Sequence, residues 1–590
     1  MTVPQVLERA AREHASAPAL RAKRTGAWQA VTWAEYHRQA RQAARGLMAL
    51  GLQRGQGVVI MGYNRPEWFL ADVGAILAGG LPAGIYQTST AEQCRYIAEH
   101  AEAAVAVVEN ARYLELFLEV RAGLPRLRAI VLMEGASDRE GVLSWTQLLE
   151  RGDAVAEAEL DARIAAQSEG ECATLIYTSG TTGTPKAVML SHRNLVWTAK
   201  AIVDTVDVRP GDVILSYLPL SHVAEQVLSL HASMAAGAEC AFAESLEALP
   251  QNLREVRPSF FFGVPRVWEK MQAAMQAAGA QASPLRRKLV AWAKRQGLAG
   301  GYAEQRGTPR PFLYGLARRL VFDRVRVRLG LDRARLCAVS AAPIGVPTLE
   351  FFLSLGIPVL EVYGMSECTG PTTSSVPGAY HTGSAGRALP GTELKLAADG
   401  EILMRGPHVC LGYFKDPEAT RETIDAEGWL HSGDVGELDT DGYLRVTDRK
   451  KELLITSGGK NVAPQPIETR LRAIPGIGHA VALGDRRNYI TALLTLDRVR
   501  LADVAQRAGS PARDADAAAC CPLLRAFLEV EVETVNRSLA RYETVRRFEV
   551  LAQEFTIDGG ELTPTLKLRR RVVYQKYAEA IERLYAVGSQ

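Results

Sequence analysis

No CxxC pair and no metal-ligand spacing of His and Cys occurs anywhere in the 590 residues. The eight cysteines are scattered at positions 94, 172, 240, 337, 368, 410, 520 and 521, which excludes a disulfide framework and fits a reducing cytosol. Long apolar runs are missing too: none approaches the roughly 18 residues that a membrane-spanning helix requires. Met1 to Leu20 lack a basic-then-apolar signal pattern, so the expectation is a cytoplasmic protein, with peripheral contact at the inner face of a membrane left open. Nor is there an excess of one charge. The 69 Lys and Arg against 66 Asp and Glu leave +3, which predicts no global affinity for nucleic acid. No repeat of fixed period is visible, and nothing in the sequence signals an oligomeric state.

What is present is an ordinary globular composition, 47% hydrophobic and 23% charged, on a chain long enough for two or more domains and a large core. Thr32 with Glu35 marks a helix start, and Tyr36, Ala40, Ala43, Ala44, Leu47 and Leu50 fall on one face before Gly51. A strand at Val58 to Met61, a helix opening at Pro66, another starting at Thr90, and buried strands at Ala104 to Val108 and Ile130 to Met133 follow. That alternation predicts parallel α/β architecture.

The chain is organised around Tyr177-Thr178-Ser179-Gly180-Thr181-Thr182-Gly183-Thr184-Pro185-Lys186-Ala187, set between two short apolar runs. Hydroxyl donors, two glycines that allow close backbone approach, and one lysine are the parts of a phosphate cradle. It is not the common P-loop, because Pro185 precedes the lysine and Ala187 follows it. The stretch resembles the phosphate loop of the acyl-adenylate-forming enzymes, with Ala187 where that family usually has Gly.

Four further segments occur in the family's order. Val359 to Val362 runs into Tyr363-Gly364-Met365-Ser366-Glu367, which is similar to the adenine-site signature and follows the small residues Ala341 and Ala342. Tyr363 can stack on a base, Ser366 can reach the α-phosphate, and Glu367 offers the hard oxygen that Mg²⁺ prefers. Gly428 to Asp434 resembles the signature in which the Asp accepts from both ribose hydroxyls, a role that suits a carboxylate. Gly442 to Glu452 resembles the domain border, which implies Asp448 as hinge and Arg449 as a nucleotide contact. Glu561 to Arg570 is similar to the long-chain subgroup's catalytic-lysine motif, with Lys567 flanked by Leu566 and Leu568.

The resemblance implies a large N-terminal domain of stacked, mostly parallel α/β sheets over 1–447, and a small mobile α+β lid over 448–590. It implies that ATP and the metal are held by Thr178 to Thr184, Lys186 and Glu367, with Thr181 a second metal ligand. His222, after the strand Val213 to Leu218, is implied to lie between nucleotide and acyl pockets. No Asp stands at Ser221 to Ala224 to bind an amino-acid ammonium, and Glu225 is a weak substitute. Phe260 to Lys270 resembles the same segment in long-chain fatty acyl-CoA synthetases. There Phe262, Gly263 and Val264 are expected to bound the acyl chain, the absent side chain at Gly263 leaving room for it. Gly458, Gly459 and Lys460 are implied to line the CoA passage.

The implied activity is ATP- and Mg²⁺-dependent activation of a fatty acid, long-chain by these segments, to acyl-AMP and then acyl-CoA. A ligase that loads a carrier protein, and a fatty-acid-binding protein with a vestigial site, are the alternatives. Residues 284 to 335 hold fourteen Lys or Arg against three acidic residues, with Leu285, Leu289 and Trp292 at helical spacing. Such a helix can lie on anionic lipid, or be a solvated face.

Overall fold

A computed structural model of the chain describes residues 1–178, 185–457, 460–498, 500–563 and 567–586. Two large sheets carry most of the first 430 residues. One has eight strands and the second nine, and in each the central strands are parallel while antiparallel strands close an edge. A four-stranded antiparallel sheet and a small three-stranded sheet follow. The expected class, α/β sheets with a smaller α+β unit after them, is the observed one.

The layering follows from the apolar pattern. Strands Gly57–Met61, Leu81–Ile85 and Val105–Val108 are buried on both faces, as parallel strands covered by helices must be. Helix Pro66–Leu77 is buried along its whole length. It lies between the two sheets, its Phe69 meeting Phe242 of the second sheet edge-on at 4.9 Å. Helix Trp33–Ala49 packs its predicted face inward, and its Thr32 cap accepts from the Glu35 amide at 3.3 Å.

Loops at the ends of the parallel strands then meet at one cleft. Strand Leu336–Val339 delivers Ala341 and Ala342, and Val359–Met365 carries Tyr363 and Gly364. Gly364 has no alternative: a Cβ there would sit 1.7 Å from the Gly370 carbonyl oxygen of the next strand. Residues Ala505 to Cys521, which read as loop, take in the end of the helix Leu501–Arg507 and the whole of the short helix Ala515–Ala519. Their alanines pack into the core of the last unit, so burial rather than turn chemistry decides them.

Candidate active site

The cleft has a volume of about 2920 Å³ and is walled by residues from before and after Asp448. Strands Cys172–Thr178 and Lys186–Ser191 form an antiparallel hairpin that brings Thr178 and Lys186 to its wall. Ser179, Gly180, Thr181, Thr182, Gly183 and Thr184, which follow Thr178 in the sequence, lie outside the described residues, as do Gly458 and Gly459.

Lys567 enters this cleft from the last unit, where it faces Asp434, Glu367 and Arg449. Burial and then the Arg449 guanidinium press its ammonium down to about 8, while Asp434 and Glu367 pull the other way. Glu367 is buried, which raises its carboxyl above the usual range, and it accepts from the Tyr413 hydroxyl at 2.8 Å. Asp434 accepts from the Tyr363 hydroxyl at 2.8 Å. Sheet register sets Arg449 directly across from Asp434, with Nε 3.5 Å from its carboxylate. Asp434 is mid-strand in Leu430–Leu438 rather than in a turn, which fixes its direction into the cleft.

His222 caps a helical turn that continues as the π-helical Gln226–Ala232. Its Nδ1 accepts from the Ala224 amide at 3.2 Å, so the neutral ring carries its proton on Nε2. Burial, and next the Lys567 charge, depress its pKa to about 3, so the ring is neutral through the physiological range. It is a neutral donor, not a general acid.

Asp448 is buried between the four-stranded sheet and the helix Pro464–Arg472. Its carboxylate accepts from the Arg449 amide at 2.6 Å and from the Gln465 amide at 3.1 Å, tying the strand Leu444–Arg449 to the helix Pro464–Arg472. Burial raises it to about 6. Arg570 makes a two-bond pair with Glu468 at 2.7 and 2.8 Å and reaches Glu452 at 2.9 Å. The segment bearing Lys567 is thus anchored to the helix that holds Asp448.

Other expected residues divide. Ala341, Ala342, Met365, Ser366 and Phe262 line the cleft, and Ala341 adopts φ +74, a strained conformation at its wall. Gly263 and Val264 do not line it, and the space beside Gly263 is not free. A Cβ there would lie 2.8 Å from the Trp268 indole nitrogen, which donates to the Ala338 carbonyl at 3.2 Å. The apolar extension runs instead past Phe262 along Phe260, Ile202, Val206, Val208 and Leu336, beneath helix His192–Val206. Lys460 is exposed and away from the cleft.

Two residues escaped sequence reasoning. Tyr413, on a two-residue strand paired to the hairpin, binds Glu367 and places its ring under the Lys186 ammonium at 5.0 Å. Only long-range pairing puts it there, so no local pattern pointed to it. Glu361 lies two residues before Tyr363 and also lines the cleft. Burial lifts it to about 7, and period-two alternation was the available signal.

Glu367 suits a hard divalent cation, and no cluster of three or more His, Cys, Asp or Glu is gathered for one among the described residues. A cation here would take most of its ligands from phosphate and water.

A family model described as AMP-binding enzyme matches residues 7–414, and one described as AMP-binding enzyme C-terminal domain matches residues 451–588. Among curated relatives, Long-chain-fatty-acid--CoA ligase ACSBG2 of Xenopus laevis is 41% identical over 622 residues, covering 99% of this chain and 84% of that protein. ACSBG1 of Rattus norvegicus, of the same description, is 39% identical over 621 residues, covering 100% and 86%. Among solved structures, the anthranilate CoA ligase AuaEII in complex with anthranoyl-AMP superposes with a TM-score of 0.75 at 21% identity, covering 99% of this chain and 98% of that one. The A domain of carboxylic acid reductase from Segniliparus rugosus, in complex with AMP and a co-purified carboxylic acid, gives 0.77 at 19%, covering 99% and 94%. Those two likenesses concern the fold alone.

Proposed function

The chain belongs to the AMP-binding enzyme family, and we propose on that premise that it is an ATP-dependent long-chain fatty acid–CoA ligase. The observation that carries the reading is the convergence of Lys567, Glu367, Asp434 and His222 on one cleft with an apolar extension.

Joining a carboxylate to a thiol requires a better leaving group on the acyl carbon. The fatty carboxylate attacks the α-phosphorus of ATP, pyrophosphate leaves, and acyl-AMP results. Two anions must meet, so the site has to offset charge during an in-line displacement. Lys567 is placed to bridge attacking carboxylate and α-phosphate, and the neutral His222 donates from Nε2 on the acyl side. Asp434 holds the ribose diol, Tyr363 the face of the adenine, and Lys186 the leaving phosphates. Glu367 is the residue that would hold Mg²⁺, which supplies charge neutralisation on the pyrophosphate when bound.

In the second step the CoA sulfur attacks the acyl carbonyl and AMP departs. The division at 1–447 and 448–590, with Asp448 as hinge, belongs to this proposal: Lys567 inside and Lys460 outside correspond to the adenylating arrangement. Rotation about Asp448 then exchanges Lys567 for the Gly458-Gly459-Lys460 segment on the CoA side. No described helix is long and apolar enough to cross a membrane, and peripheral contact with a membrane surface is part of the reading.

The test is pyrophosphate release from ATP with acids from acetate to long-chain and aryl carboxylates, with and without CoA. Fast CoA-dependent turnover with long chains is expected. CoA-independent release, or preference for short or aryl acids, would reassign the acceptor or the pocket.

A further inference from the structure

The basic stretch folds as a helical hairpin, and of the three apolar residues picked out by spacing only Leu285 stays largely exposed, at 80%. Leu289 and Trp292 of helix Pro284–Gln305 pack inward against Tyr314, Ala317, Val321 and Phe322 of the returning helical run. The turn between the two, with the start of the returning run, carries a different set of apolar side chains, facing out. Phe312 is 99% exposed, Leu316 48% and Leu313 40%. Three large apolar residues within five positions, none covered by the chain, are unlike the single exposed hydrophobics of an ordinary surface.

Charge surrounds them. Arg310 pairs with Glu304 and Arg318 with Asp323, which leaves Arg306 and Arg319 without an acidic partner among the described residues. Across 284 to 335 fourteen basic residues face three acidic ones, although the whole chain carries only +3. Self-association through this turn would set like charges against each other, and a nucleic-acid backbone offers nothing to Phe312, Leu313 and Leu316. An anionic lipid surface satisfies both halves, taking the apolar tips between headgroups and the arginines against phosphate.

We propose that the Phe312–Leu316 turn, flanked by Arg306 and Arg319, docks the protein peripherally on anionic membranes. The benefit, delivery of a substrate that partitions into lipid, rests on the ligase reading, while the surface itself does not.

The experiment is sedimentation of the whole chain with vesicles of phosphatidylcholine alone, and of phosphatidylcholine mixed with phosphatidylglycerol. Binding to the mixed vesicles is expected, weak on neutral ones and weakened by salt. Phe312→Ser with Leu316→Ser should lower partitioning by roughly tenfold or more. Arg306→Ser with Arg319→Ser should lower it about fivefold per arginine. Neither pair lines the cleft, so pyrophosphate release with a soluble medium-chain acid, in vesicle-free buffer, should stay unchanged and shows that each variant is folded. Absence of vesicle binding, binding indifferent to both pairs, or a dimer that these substitutions dissolve would each overturn the proposal. Failure of the ligase reading would show instead in the vesicle-free assay.

Discussion

Adenylation should have an alkaline limb set by Lys567. Its ammonium is enclosed by protein, and the Arg449 guanidinium opposes the charge, so the pKa falls from the ordinary lysine range to about 8. The charged form therefore exists below pH 8 and is lost above it. About nine-tenths is charged at pH 7 and about a tenth at pH 9, a roughly tenfold fall if only the ammonium bridges carboxylate and phosphate. The limb should appear in kcat/KM for ATP, which reports the free enzyme. In kcat it should move to higher pH, because bound phosphates stabilise the ammonium. Pyrophosphate release without CoA, in a single turnover, isolates this step. Lys567→Arg, charged at every accessible pH, should flatten the limb even where its geometry lowers the rate. Lys567→Ala should cut adenylation roughly 10²- to 10³-fold and spare thioester formation from supplied acyl-AMP. Arg449→Gln should shift the limb upward by removing the like charge. A limb near pH 8 that persists in Lys567→Arg would refute the assignment.

Three other substitutions test the frame around that lysine. Tyr413→Phe keeps the ring beneath Lys186 but removes the donor to Glu367. KM for ATP should hold while adenylation slows roughly ten- to a hundredfold, as for one lost hydrogen bond to a charged group, whereas Tyr413→Leu should raise KM as well. Arg570→Met leaves the buried Glu468 carboxylate without a cation and takes from Glu452 one of its two, Arg449 remaining. A loss of about 3 to 5 kcal/mol is expected, read by thermal unfolding as an earlier transition of the last unit. Gly364→Ala must push apart the strands Val359–Met365 and Gly370–Ser374, and loss of nucleotide binding by calorimetry, with most of the fold intact, is the expected outcome.

Much of the architecture was legible because local and tertiary preferences agree. Caps at Thr32, Thr90 and Ser191 start helices whose apolar faces the core then uses. All-apolar strands such as Val105–Val108 could be buried only inside a covered parallel sheet. Legibility failed where composition and packing diverge. The alanine-rich 505–521 region lacks periodic large side chains, yet its small ones fit between neighbouring elements. The segment near Trp292 was left open between a lipid-facing helix and a solvated face because spacing reveals that a face is apolar, not what covers it.

At the site the same division holds with sharper consequences. That Asp434, Glu367 and Lys567 meet at one cleft was readable because each lies in a contiguous segment that resembles a family motif. The space at Gly263 was misread for want of a partner: an absent side chain shows that something comes close, and here it is the Trp268 indole rather than an alkyl chain. Tyr413 was invisible because its task exists only once an edge strand pairs with a hairpin far earlier in the chain, Tyr413 across from Val188 and Gly412 across from Met189. That pairing joins Lys186, proposed to hold the leaving phosphates, to the Glu367 carboxylate through one ring and one hydroxyl. The two groups proposed to act on the leaving pyrophosphate are therefore aligned by sheet register, which a one-dimensional reading does not contain.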